Sequence, residues 1–188
     1  MARPLSDDRR NAILAAATKL IAENGLGAST ADIARQAGVP NGSVFTYFET
    51  KADLLNALYS ELKTELTGSV LVGMPEARDA RTRLCHIWGI WTQWGTANPL
   101  KRKALAQLAI SDQIRPETRE AVMKLAAPTF GLVQIAIDNG AMRDAPPGFA
   151  HALFDAMVTR TMEFMSANPA HAREASRVGF EALWKMLA

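Results

Sequence analysis

An all-α protein in two parts is what this sequence predicts, and three observations carry the prediction. Apolar residues recur at three- and four-residue spacing from Ile13 to Leu187, and no stretch alternates apolar with polar as a half-buried strand would. Glycine, asparagine and proline punctuate these stretches at intervals suited to ordinary helices. Residues 28–51 read as two short helices joined by a glycine-containing turn and followed at once by a third helix. About nine helices result, divided into residues 1–50 and residues 51–188.

Ser6-Asp7-Asp8 supplies a cap and two acidic residues for a first helix, whose inward stripe is Ile13, Ala17, Leu20 and Ile21 and whose end is Asn24-Gly25. Thr30 is positioned to cap the next helix, with Asp32 in its first turn and Ile33, Ala34 and Ala37 on one face. Gly38 stops it, where a left-handed residue costs least. Pro40-Asn41 then restarts the chain as a helix to Tyr47, with Val44 and Phe48 turned inward and Phe45 assigned to packing. Thr50-Lys51-Ala52-Asp53 is a capping box. It opens a helix to about Leu71, long enough to bridge two domains at about 1.5 Å per residue. Further helices are expected at about Glu76–Gly95, Pro99–Ile110, Pro116–Asn139 with Pro128 as a kink or break, Phe149–Ser166 and Pro169–Leu187.

Composition narrows the function classes. The 188 residues include one cysteine, so no internal disulfide framework exists, and a reducing compartment suits the chain. No signal-peptide pattern opens it, and its apolar runs are expected to be cut by charges before a membrane-spanning length. A soluble cytoplasmic protein is the expectation. Net charge is +2, and residues 1–51 balance Arg3, Arg9, Arg10, Lys19, Arg35 and Lys51 against Asp7, Asp8, Glu23, Asp32 and Glu49. Any nucleic-acid binding therefore depends on placed side chains, not bulk charge. No nucleophile–base pair, metal-ligand spacing or phosphate-cradling glycine loop occurs, so neither an enzyme nor a cofactor or metal site is expected. Cys85-His86 is an adjacent pair pointing to different helix faces, and Cys85 is read as a buried structural residue.

The spacing Gly25-x4-Thr30-x2-Ile33-Ala34-x2-Ala37-Gly38-Val39-x2-Gly42-x2-Phe45-x-Tyr47-Phe48-x2-Lys51-x2-Leu54 resembles the N-terminal domain of TetR/AcrR-family transcriptional regulators. The resemblance covers about the first 55 residues. It implies a homodimer that binds a palindromic operator on double-stranded DNA and releases it when a small molecule enters the C-terminal domain. It also places Thr30, Asn41, Gly42, Ser43, Thr46, Tyr47 and Lys51 at the DNA. Independently, Ser, Thr, Asn and Tyr are donors and acceptors suited to base edges and phosphates, and Gly42 permits close backbone approach. Phe45 departs from the family's usual tyrosine and Pro40 from its usual Ser or Thr cap, which leaves Asn41 either reading a base or capping the helix.

In the C-terminal part, Trp88, Trp91 and Trp94 recur every three residues on one helix. Core packing accounts for some of that area. With Met123, Phe130 and Met157 they also suit the wall of an apolar cavity for an apolar or aromatic effector. The last two helices are apolar on more than one side, so a second surface must cover them. Phe154, Val158, Met162, Val178, Gly179, Ala182 and Leu183 are the candidates for an isologous dimer contact. The sequence thus reads as a ligand-responsive DNA-binding repressor, against the rival readings of an enzyme and a non-specific architectural DNA binder.

Overall fold

The structure, a computed structural model, describes residues 6–76, 79–138 and 140–188; Arg3 and Asn139 lie outside them. Among the described residues the chain forms nine α-helices and no strand. They are α1 (Asp7–Asn24), α2 (Thr30–Gln36), α3 (Asn41–Tyr47), α4 (Lys51–Leu71), α5 (Ala80–Ala97), α6 (Pro99–Ala109), α7 (Pro116–Asp138), α8 (Phe149–Ala167) and α9 (Ala172–Leu187). Short 3₁₀ turns occupy Gly25–Gly27 and Pro169–His171.

Several helix ends differ from expectation by a few residues, for local reasons. Asp79 caps α5 by accepting the Thr82 amide at 2.8 Å, which delays that helix to Ala80. Pro128 does not break α7, which runs continuously through it. α9 starts at Ala172, after Pro169 has opened the 3₁₀ turn.

The helices gather into two compact units: Met1–Thr64 with Leu100–Val122, and Glu65–Pro99 with Met123–Ala188. Compaction therefore divides the chain within α4 and within α7.

The first unit buries the stripes that periodicity picked out. Ile13, Ala17 and Ile21 of α1, Ile33 and Ala34 of α2, Val44 and Phe48, and Leu54, Leu55 and Leu58 of α4 are all buried, and α2 packs closely on both α1 and α3. Polar bonds then fix the connections. Asn56, buried on α4, donates to the Ala52 and Gln113 carbonyls and accepts the Arg115 amide at 2.9 Å. Arg115 also pairs with Asp53, and Arg119 donates to the Ala109 and Ser111 carbonyls. The turn between α6 and α7 is thereby fastened to the first two turns of α4.

The second unit is apolar throughout its centre. α5, α8 and α9 approach one another closely around Trp88, Phe154, Phe180 and Leu183. Trp88 meets Phe154 edge-on at 6.4 Å and Phe180 at the same distance. Its indole N–H donates to the Ser176 carbonyl at 2.8 Å, so the one polar atom of this core residue is satisfied. A Cβ on Gly179 would stand 2.8 Å from the Trp88 ring and 3.1 Å from the Thr161 hydroxyl. Gly140 is equally restricted, because a Cβ there would overlap the Leu187 carbonyl.

One expectation about α7 is corrected. Its 23 residues reach a mean hydropathy of 1.3 over an 18-residue window, so by length and composition the helix could cross a membrane. Glu117, Arg119, Glu120 and Lys124 crowd its first half and leave the rest uninterrupted. Only 33% of that window is buried, and Met123 and Ile135 are 65% and 50% exposed.

Candidate nucleic-acid interface and effector site

The helix-turn-helix is held by a cap, a left-handed glycine and two cross-links. Ser29, not Thr30, caps α2, accepting the Asp32 amide at 3.0 Å while its hydroxyl donates to the Asp32 carboxylate at 2.6 Å. That hydrogen bond, with Arg35 beside it, holds the Asp32 carboxyl below its ordinary pKa. The sequence offered two adjacent hydroxyls, and the one upstream has the extended backbone a cap requires. Thr30 is left at the first helical position with its hydroxyl outside the cap. Gly38 takes φ +66 and makes the turn.

α3 begins at Asn41 with Pro40 preceding it, and no side chain caps it. Asn41 is exposed at the first helical position and does not act as a cap, which removes one of its two alternatives. Gly42 and Thr46 are also exposed and Ser43 is half-buried. The Thr46 hydroxyl donates to the Gly42 carbonyl at 3.3 Å. Phe45, assigned to packing, is instead 49% exposed, because Val44 and Phe48 already fill the inward positions of this short helix. An outward phenyl among small polar residues is suited to a thymine methyl or a sugar.

Tyr47 and Lys51 are both fixed by bonds that no local pattern announces. The Tyr47 hydroxyl accepts the Ser6 amide at 3.1 Å, tying the end of α3 to the start of α1 and leaving the phenolic proton available to donate. The Lys51 ammonium donates to the Leu26 carbonyl at 2.7 Å, with two further N–H groups left over. Arg10 and Arg35 serve locally: Arg10 pairs with Glu61 at 3.0 Å and covers the Phe48 ring, and Arg35 pairs with Asp32. At the head of α4, Thr50 bonds to Asp53, and with Arg115 beside it that carboxyl also titrates below its ordinary range.

In the second unit the effector candidates separate. Trp88 is buried in the core and Trp91 meets Phe154 at 5.5 Å while staying half-buried. Trp94 turns to Glu65 of α4, donating at 3.0 Å. Phe130 of α7 is half-buried 5.8 Å from the His151 ring of α8, and Met157 packs on the core edge. Met123 is on the surface and joins none of them. The dimer candidates divide the same way. Phe154, Val158, Met162 and Leu183 are buried within their own unit, and Gly179 faces Trp88 and Thr161. They cannot form an outward face. Val178, 49% exposed, and Ala182 remain outward on α9, joined by Phe164 of α8 at 51%. Cys85, expected to be buried, is exposed; partial desolvation raises its thiol pKa, Glu181 adds to this and Arg81 opposes it.

Among the described residues no group of His, Cys, Asp or Glu is arranged to hold a metal. An open hollow of about 390 Å³ against α1 and α2 is walled by Leu20, Asn24, Asp32, Arg35 and Gln36, a polar lining unlike that expected for an apolar effector.

Comparison with known proteins agrees with this geometry. Residues 13–58 match the family model described as bacterial regulatory proteins, tetR family. The fatty acid metabolism regulator protein of Bacillus subtilis (strain 168) is 36% identical over 76 residues, a stretch spanning 40% of this chain and 39% of that protein. A solved structure from Shewanella sp. PV-4, assigned to the tetR family of transcription regulators, superimposes with a TM-score of 0.82 at 24% identity, covering 96% of this chain and 98% of its own. The transcriptional regulator FadR of Bacillus subtilis, solved in complex with stearoyl-CoA, has a TM-score of 0.70 at 19% identity over 95% and 99% of the two chains.

Proposed function

We propose that the chain, whose residues 13–58 match the tetR family of bacterial regulatory proteins, is a dimeric repressor of that family, released from a palindromic operator by a small apolar or aromatic effector. Residues 1–50 form the DNA-binding module, and residues 51–188 carry effector recognition and dimerisation. The observation that carries the reading is the outward row on α3. Asn41, Gly42, Phe45 and Thr46 stand exposed, flanked by the fixed Tyr47 hydroxyl and the Lys51 ammonium. Such a row offers base contacts at its centre and phosphate contacts at its edges. Thr30 and Ser43 supply two more hydroxyls. Two copies of α3 about 34–36 Å apart enter successive major grooves on one DNA face.

Outward Val178, Ala182 and Phe164 give the second copy an apolar surface on α8 and α9. The effector site is built around the half-buried Trp91, Phe130 and Met157. An effector that fits only a conformation with another spacing of the two α3 helices lowers operator affinity by shifting the population.

The test uses duplex selected from a random pool by the full-length protein. Tyr47→Phe keeps the ring and removes the hydroxyl. It is expected to weaken operator binding about tenfold or more, the scale of one hydrogen bond to a charged group, with the dimer and fold unchanged. Unaltered affinity in gel shift sinks the assignment, and equal competition by random duplex favours a non-specific architectural binder.

A further inference from the structure

Thr129 has a buried hydroxyl with nothing to bond to. The residue is 7% exposed and its Oγ1 has no hydrogen-bond partner. A helical threonine ordinarily returns its hydroxyl to the carbonyl four residues back. Thr18, Thr46, Thr92 and Thr96 of this chain all do so, to Leu14, Gly42, Trp88 and Thr92. Thr129 makes no such bond to Leu125, so its hydroxyl is committed to nothing in the folded chain. Leaving such a group buried and unpaired is unfavourable, and persistence of the arrangement calls for a partner.

Its position says what kind. Thr129 opens the inward stripe of α7 that continues through Leu132, Val133, Ala136 and Ile137 into the apolar core. Among the described residues α5, α8 and α9 approach one another closely, whereas α7 makes no comparably close approach to any of them. On this side of the unit α7 reaches the core through its side chains. Phe130, the next residue, is half-buried beside His151, and Trp91 and Met157 are half-buried at the edge of the same core. The buried polar residues described in this unit are Thr67, Thr92 and Thr129, with no buried charge among them. A neutral oxygen can accept the Thr129 proton without bringing a charge into this stretch, whereas a carboxylate or ammonium would need a counter-charge that none of these three threonines supplies.

We propose that Thr129 is the hydrogen-bonding point of the effector site, selecting an apolar or aromatic molecule that carries an uncharged oxygen such as a ketone carbonyl. The assignment rests on the effector reading above and adds to it the polar group that orients the ligand. Benzophenone and diphenylmethane serve as probes, since they differ by that carbonyl and share two phenyl rings. Calorimetry on the wild-type dimer is expected to show benzophenone bound about three- to tenfold tighter, the range of one hydrogen bond. Thr129→Val abolishes that preference while leaving diphenylmethane affinity in place, and Thr129→Ser keeps the preference. Without ligand, Thr129→Val melts at or above the wild-type temperature, because it deletes an unpaired hydroxyl. A preference unchanged in Thr129→Val, or a clear fall in its melting temperature, overturns the role of Thr129 alone. Failure of the wild type to bind either probe overturns the effector site for this ligand class, and the role of Thr129 with it.

Discussion

The first compact unit ties its elements together with side chains that bond to distant backbone: Tyr47 to Ser6, Lys51 to Leu26, Asn56 to Gln113 and Arg115, Arg119 to Ala109 and Ser111. The second relies more on rings and close helix approach, Trp88 against Phe154 and Phe180 over Gly179, with fewer such bonds, the Trp88 indole to the Ser176 carbonyl among them. Short helices explain part of the contrast. α2 and α3 have seven residues each, too few to hold their places by an apolar stripe alone. Hydrogen bonds are directional, so they fix the recognition row at defined positions. Apolar packing is less directional and tolerates rearrangement more readily. The first unit is pinned largely by polar bonds, and the second is chiefly packed.

Substitutions can break that comparison. The largest effect is expected in the second unit. Trp88→Ala removes the ring shared by Phe154 and Phe180 and should cost about 3–5 kcal/mol, read by chemical denaturation. A loss below about 1 kcal/mol would mean that the aromatic cluster is not what holds α5 to α9. Next is Asn56→Leu, which replaces a buried amide by a side chain of similar size. If packing held the first unit as it holds the second, this change would be tolerated. Instead it strands the Gln113 carbonyl and the Arg115 amide and is expected to cost about 2–4 kcal/mol.

The smallest effect is a pH dependence confined to the caps. Asp32, Asp53 and Asp79 all titrate below the ordinary carboxylate range because they accept bonds from Ser29, Thr50 and Thr82 respectively. A depressed native pKa contributes stability that is fully present above the unfolded value of about 4 and is lost as pH falls through the native one. Stability should therefore be flat in these groups near neutrality and decline below about pH 4. Asp53→Asn should flatten part of that acid limb, and an unchanged acid profile would show that the α4 cap contributes nothing.

Periodicity placed the helices well because burial on one face needs only a repeat in the sequence. It located Ile13, Val44, Phe48 and Leu54 in the core for that reason. It could not say which of two apolar faces a helix covers with its own chain. Phe154, Val158, Met162 and Leu183 were therefore set on an outer surface when they belong inside. Gly179, also assigned to the dimer contact, makes room for Trp88 within its own chain. The Ser29 cap was one residue from the expected position, a difference set by backbone angle. Asn56 carried a signal that went unread: an amide at a buried position within a leucine-rich helix implies partners, although it does not name them.

The fastening of the α6–α7 turn to α4 has a consequence for how this region moves. Residues 110–115 are a connection, and connections ordinarily exchange their amide hydrogens quickly with solvent. Here the Arg115 amide is bonded to a buried side chain, and that side chain is held in turn by two carbonyls. The amide cannot reach water until Asn56 leaves its place between Ala52 and Gln113. A turn by geometry, it should show the exchange protection of a helix interior, and it should open together with the start of α4 as one cooperative segment.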